Sequence, residues 1–340
     1  MTAPLAADLV LALLWLALTA YVVLAGADFG GGVWDALARG PSAPEQRRLV
    51  AEAMGPVWEA NHVWLIAMIT GLFTTFPLAF SALSLALYVP LSSALIGIVL
   101  RGAAFAFRAH GAEAVGATTP WGVLFGVASI ITPALLGASA AAASSGAIHV
   151  SPAGGVSVSP ALPWLTPFAL DCALLGLALS AQQAAIYLAV EADDAGEPAL
   201  RRHFQRRTLL SLGVTAGAAL AGLPLAHVWA PVLAAGLAGR ARPLLVLVAA
   251  VGAGCALAVA RGHVRWGRAL AIAQAIGIVW AWGVAQYPYL IVPDVTVANS
   301  AASLVTLLSF VAIAVGGGVL LVPSLWLLFS VFKGRNPAQS

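Results

Sequence analysis

The chain has 340 residues, of which 61% are hydrophobic and only 9% charged, and its mean hydropathy is +0.96. Soluble domains carry about 25% charged residues, so this composition excludes a soluble globular protein and points to a polytopic membrane protein. The net charge of +3 and pI near 9.2 come from arginines spread between apolar runs, which excludes a nucleic-acid-binding surface as their purpose.

Nine apolar stretches follow in chain order, near 7–31, 54–75, 78–104, 120–143, 163–190, 208–236, 243–260, 265–287 and 302–332. A helix needs about 20 residues to cross roughly 30 Å of hydrocarbon, and backbone groups in lipid must be paired internally, so helices follow rather than open sheets. The expected fold class is an all-α polytopic membrane protein with nine transmembrane helices, as two four-helix bundles plus one peripheral helix. A single integral-membrane domain covers 1–340. Its parts are a first four-helix half at 1–150, a second at 151–290, and an outer loop with the final helix at 291–340.

The charges orient this array. Arg39, Arg47 and Arg48 follow helix 1, Arg101 and Arg108 follow helix 3, and Arg201, Arg202, Arg206 and Arg207 follow helix 5. Arg261, Arg265 and Arg268 follow helix 7, and Lys333 and Arg335 follow helix 9. Of the 16 Lys and Arg, this leaves Arg240 and Arg242 on the other side. The positive-inside rule then places the N-terminus outside and the C-terminus in the cytoplasm, as an odd number of helices requires. The first apolar run lacks a positive n-region and is long, so it reads as a retained span rather than a cleaved signal. Cys172 and Cys255 lie within spans without a CxxC or CxxCH pattern, so no disulfide framework, zinc site or c-type haem attachment is expected.

Within the spans the polar residues stand out, because an ionisable side chain at the bilayer centre costs about 2.5–3.5 kcal/mol even on the mildest insertion scale. Asp28 lies late in helix 1, in GADFGGG. Helix 2 opens with GPVWEANHVWLI, which gathers Trp58, Glu59, Asn61, His62 and Trp64. Glu59 and His62, three residues apart, share a helical face and form a candidate proton relay; a plain hydrogen-bonded pair is the competing reading. Glu-x-x-His is also half of a di-iron carboxylate motif, but that centre needs two such motifs and two further Glu, and the chain has one. Trp58 and Trp64 suit an interfacial aromatic belt, and Asn61 can bridge helices. Asp171 and the pair Gln182 and Gln183 occupy helix 5, and His227 and Trp229 lie in helix 6 with no carboxylate nearby in sequence. Asp294 falls in an outer loop, where an exposed carboxylate needs no explanation. Gly30, Gly31 and Gly32, like Gly316, Gly317 and Gly318, suit close helix packing.

Several of these runs resemble subunit II of cytochrome bd quinol oxidase. The resemblance rests on GADFGGG, GPVWEANHVWLI, the run from Leu85 to Arg108, QQAAIYL and AQYPYLIVP, in order along both halves. It implies a non-haem subunit, not catalytic alone, of a quinol oxidase that reduces dioxygen in a respiratory chain. Haems b and d are then expected in the partner, subunit I, with quinol as substrate of the complex. This chain would hold no cofactor or metal and no catalytic residue. It further implies a proton path through Glu59, Asp28 and His62, and an oxygen route or subunit interface at Trp64, Trp58 and Asn61. The implied setting is the plasma membrane of a prokaryote, with room for a small single-helix accessory subunit. The sequence departs from the family pattern at Ala25, Ala106 and Ala184, where an acid, an acid and a glycine occur in other members. Two alternatives compete. A proton-coupled transporter would need helices broken at midplane, for which Pro90, Pro133, Pro224 and Pro323 are candidates. A chain that itself ligates haem would use His62 or His227.

Overall fold

The computed structural model describes the backbone of residues 2–110, 120–151, 154–159 and 162–333, and side chains there except at 54–60, 108–110, 321–322, 325–326 and 328–333. The described residues are predominantly helical, as the composition demands. The elements are α1 (Ala3–Ala36), α2 (Ala43–Thr75), α3 (Pro77–Ala86), α4 (Tyr88–His110), α5 (Pro120–Ser144), α6 (Pro167–Asp194), α7 (Pro198–Trp229), α8 (Pro231–Ala238), α9 (Arg242–Ala260), α10 (Val264–Gln286), α11 (Val297–Ser300) and α12 (Leu304–Lys333). Among the described residues seven helices are long and apolar enough to span a bilayer, namely α1, α4, α5, α6, α7, α9 and α10. The segments Asn61–Thr75 and Pro77–Ala86 make an eighth if taken together across their 115° bend.

Proline punctuates the helices at their starts. Pro77, Pro167, Pro198 and Pro231 each occupy the first helical position, where the missing N–H costs nothing. By contrast Pro133, Pro224 and Pro323 lie inside α5, α7 and α12 without interrupting them. Three expected spans are redrawn. The stretch 54–75 begins eleven residues earlier, at Ala43, because the polar turns before Gly55 are helical too. The stretch 78–104 is two helices, because the chain turns at Leu87; hydropathy runs unbroken across the turn and hides it. The stretch 208–236 begins ten residues earlier, at Pro198, and breaks at Ala230. The basic run Arg201–Arg207 is therefore the first turns of a helix, not a loop.

Helices α1 and α6 are central. Helix α1 packs on α2, α5, α6, α10 and α12, while α6 also meets α7. Glycine permits the closest of these contacts: a Cβ on Gly30 would strike the Ser180 carbonyl of α6, and one on Gly32 would strike the Ser129 hydroxyl of α5. Close backbone approach supplies the dispersion contacts that hold helices together in lipid, where no hydrophobic drive exists between them. The second glycine triplet does not do this. Around Gly316, Gly317 and Gly318 there is open space, and α12 rests on α1 and α2 with Val305, Ile313 and Leu320 largely exposed.

The two ends differ. One carries the C-terminus of α1, the start of α2, the α6–α7 turn and the α9–α10 turn, and is rich in arginine. Ion pairs staple it: Arg48–Glu197 at 2.6 Å, Arg201–Asp193 at 2.9 Å and Arg265–Asp194 at 2.6 Å. At the other end two small antiparallel hairpins, β1 (Ile148–Val150) with β2 (Val156–Val158) and β3 (Tyr289–Ile291) with β4 (Val295–Thr296), meet through an Ile148–Pro293 bridge. Helix α3 lies against them. Asp294, read from sequence as an unremarkable loop acid, organises this lid. Its carboxylate accepts from the Val150 N–H at 3.1 Å and lies 3.2 Å from His149 Nδ1, and its carbonyl accepts from Asn299 at 2.7 Å. Beside it the Asp8 charge, with some help from burial, pushes the Tyr287 phenol above its usual pKa.

Candidate functional site: a buried charge cluster in the first half

Four helices of the first half converge on one guanidinium. Arg101, on α4, is 2% exposed, as is the Asp28 side chain on α1. The pair is bidentate: Nη1 donates to Asp28 Oδ2 at 2.6 Å and Nη2 to Oδ1 at 2.7 Å. Nη2 also reaches the Asp28 backbone carbonyl at 2.8 Å, and Nε donates to Ser129 Oγ on α5 at 3.0 Å. Asn61, buried on α2, completes the cluster by donating to Asp28 Oδ2 at 2.9 Å. The rings of Phe29 and Phe125 lie 5.1 and 4.8 Å from the guanidinium carbon, in the range of cation–π attraction. The planar fork of arginine suits this arrangement; lysine could not span the same acceptors.

Arg101 is thus a correction to the charge count that oriented the chain. It is not a loop cation but the counter-charge of Asp28. Sequence alone hid it, because its place near the end of an apolar run is also where a topological arginine belongs.

The cluster anchors the polar middle of α2, which reads from sequence as the start of its helix. Asn61 is fixed to Asp28, and His62, next along α2, is half-buried. Trp64 is half-buried against Tyr21, Ala25, Phe29 and Leu65, with Met68, Ile98 and Leu136 alongside. Asp28, Asn61 and Trp64 are therefore brought to one neighbourhood. The side chains of Trp58 and Glu59 lie outside the described residues, although their backbone belongs to α2.

A second polar seam joins α6 to α10. Gln182 Nε2 donates to Gln274 Oε1 at 2.8 Å, and Gln183 Nε2 to the Ala271 carbonyl at 3.1 Å, all three glutamines being buried. Trp34 Nε1 ties α1 to the same helix through the Ala181 carbonyl at 2.8 Å. Asp171, also on α6, has one buried carboxylate oxygen without a hydrogen-bond partner, facing Gly222 of α7. His227 is exposed on α7. Among the described residues no three His, Cys, Asp or Glu side chains converge as a metal site would require.

A family model described as cytochrome bd terminal oxidase subunit II matches residues 6–332. The chain belongs to the cytochrome bd terminal oxidase subunit II family. Curated relatives agree over part of the chain. Cytochrome bd ubiquinol oxidase subunit 2 of Bacillus subtilis (strain 168) is 33% identical over 130 residues, 36% of this chain and 37% of the relative. A putative cytochrome bd menaquinol oxidase subunit II of the same organism is 25% identical over 126 residues, 37% of this chain and 35% of the relative. The chain thus spans about a third of the length of the curated relatives it matches. In fold it is similar to a chain in the structure of bd oxidase from Geobacillus thermodenitrificans, with a TM-score of 0.77 at 22% identity. That likeness covers 97% of this chain and 99% of the other.

Proposed function

We propose that this chain works as the non-haem subunit of a respiratory quinol oxidase that reduces dioxygen, in the plasma membrane of a prokaryote. The observation that carries the reading is the family match over residues 6–332. In this reading α2, bent into α3, and α12 complete nine spans, and the arginine-rich end faces the cytoplasm. A haem-bearing subunit I supplies the redox chemistry and the quinol site. The chain's own task is to brace that partner and to admit protons, and a small accessory subunit would complete the complex.

The division of labour follows from the charge cluster. Both oxygens of Asp28 accept hydrogen bonds from fixed donors, so Asp28 serves as a strut that sets the height and rotation of α2. Glu59, two residues before the tethered Asn61, is left as the proton-accepting group on the cytoplasmic approach, with His62 on its face as the next station. Trp64 lines an apolar passage for dioxygen beside this path.

Purification from native membranes tests the assignment. A haem-bearing partner with a bd-type spectrum should accompany the chain, whereas a chain that isolates alone and moves a solute would establish the transporter reading instead. Within the assembled complex, Glu59→Gln should slow turnover by roughly 10- to 100-fold while Glu59→Asp retains more activity. Full activity in Glu59→Gln would remove the proton path from this chain.

A further inference from the structure

At the arginine-rich end, Arg48, Arg201 and Arg265 each meet a carboxylate. Arg47 and Arg207 do not. They come from the first turns of α2 and α7, yet they converge on consecutive carbonyls where α1 ends: Arg47 Nη2 donates to Ala38 O at 2.8 Å and Arg207 Nη2 to Leu37 O at 3.4 Å. Carbonyl dipoles at a helix C-terminus attract cations, but they do not neutralise two of them side by side.

Hydrogen bonding is also incomplete there. Arg47 Nε, Arg207 Nη1 and, one turn earlier on α7, His203 Nε2 are shut off from water and have no hydrogen-bond partner among the described residues. No carboxylate among the described residues lies within ion-pair distance of Arg47 or Arg207. The Arg207 guanidinium rests on Trp34 at 4.8 Å and Phe204 at 5.3 Å, which holds its plane while leaving its edge to a ligand. Arg39 and Arg206, both exposed, add charge at the rim.

Apolar surface continues from these cations along α7. Leu210 is 66% and Val214 39% exposed, and Val214 lies two helical turns from Arg207 on the same face. Beside them Gly213 and Gly217 open onto empty space. A paired cation above a bare apolar track matches a phosphodiester carrying acyl chains better than free phosphate, which would gain nothing from the track.

We propose that Arg47 and Arg207 bind the phosphodiester headgroup of an anionic phospholipid of the cytoplasmic leaflet, with an acyl chain laid along Leu210 and Val214. A small swing of either long arm turns its unmet N–H toward the phosphate oxygens, giving charge-assisted bonds of the bidentate kind. The inference rests on the orientation proposed above but not on the oxidase assignment, since it requires only the embedded chain.

Native mass spectrometry of the chain, purified with whatever subunits accompany it, reads lipid occupancy after titration with phosphatidylglycerol, phosphatidylcholine or inorganic phosphate. Phosphatidylglycerol should be retained in preference to phosphatidylcholine and resist competition by phosphate. Arg47→Gln and Arg207→Gln should each lower its retention about five-fold, from the usual contribution of one arginine near an anionic surface, and Arg202→Gln should not. Equal retention of the two lipids, or displacement by phosphate at equal concentration, would overturn the proposal. Should the variants fail to assemble, a photoactivatable phosphatidylglycerol on the unmodified complex gives a second answer. Labelled peptides from 34–47 and 201–214 support the site; label confined to other segments, or to a partner subunit seated there, rules it out.

Discussion

Asp28 and Arg101 share a single fate. Each is an ion that the bilayer would reject alone, and each is tolerable because the other is bonded to it through two oxygens. Removing one partner of a buried pair leaves an uncompensated charge, at a cost of about 3–5 kcal/mol. Arg101→Gln or Asp28→Ala should therefore sharply lower assembly and thermal stability, read by fluorescence-detected gel filtration. The double variant Asp28→Asn with Arg101→Gln should recover part of the loss, since no naked charge remains. Trp64 tests a different quality of the same neighbourhood. If the apolar passage lies beside it, Trp64→Ala should change the apparent dioxygen affinity of the complex more than its quinol affinity; equal effects would indicate packing alone. Sequence reading singled out Asp28, Asn61 and Trp64 because each is conspicuous where it stands. It missed Arg101 as the partner of Asp28 because the pairing spans 73 residues, and nothing local to either residue encodes it.

At the level of the helix, glycine and proline do opposite work in different places. Gly30 lets α1 and α6 touch through their backbones, whereas a Cβ on Gly317 in α12 would find open space among the described residues. Gly30→Ala is expected to cost about 1–3 kcal/mol through overpacking, and Gly317→Ala almost nothing, as thermal unfolding of the two variants would show. The two triplets look alike in sequence; contact partners distinguish them, and those are a property of the assembled bundle. Helix ends were similarly half-legible. Apolar runs located most span ends to within several residues, yet they missed the polar first turns of α2 and α7 and did not reveal the turn at Leu87 or the break at Ala230, because each break is a single non-helical residue within continuously apolar sequence.

The molecule as a whole is a bundle closed differently at its two ends. Ion pairs between exposed or half-buried side chains staple the arginine-rich end, and pairs so open to water are individually weak, about 0–1 kcal/mol. Paired hairpins close the other end, where Asp294, in the β3–β4 turn, ties β1 to that turn and the turn to α11. Asp294→Ala should loosen this lid by about 1 kcal/mol through lost hydrogen bonds. Hydrogen exchange should then quicken at 147–158 and 291–299 while the spans stay protected; unchanged exchange would show the strands to be self-sufficient. The lid escaped sequence reading because its strands are two or three residues long, pair within their own loops and meet only through the Ile148–Pro293 bridge, a signal that hydropathy does not carry.

The Asp28–Arg101 pair also imposes a schedule on biosynthesis. A nascent chain emits α1 long before α4, so Asp28 reaches the membrane without its counter-charge. Until residue 101 has been made and α4 has entered beside it, α1 is an unfinished segment that must wait near water or near the insertion machinery. The helices that meet at this pair are therefore expected to reach their final packing only after α4 has been made, so that α1, first to be synthesised, is not the first to settle.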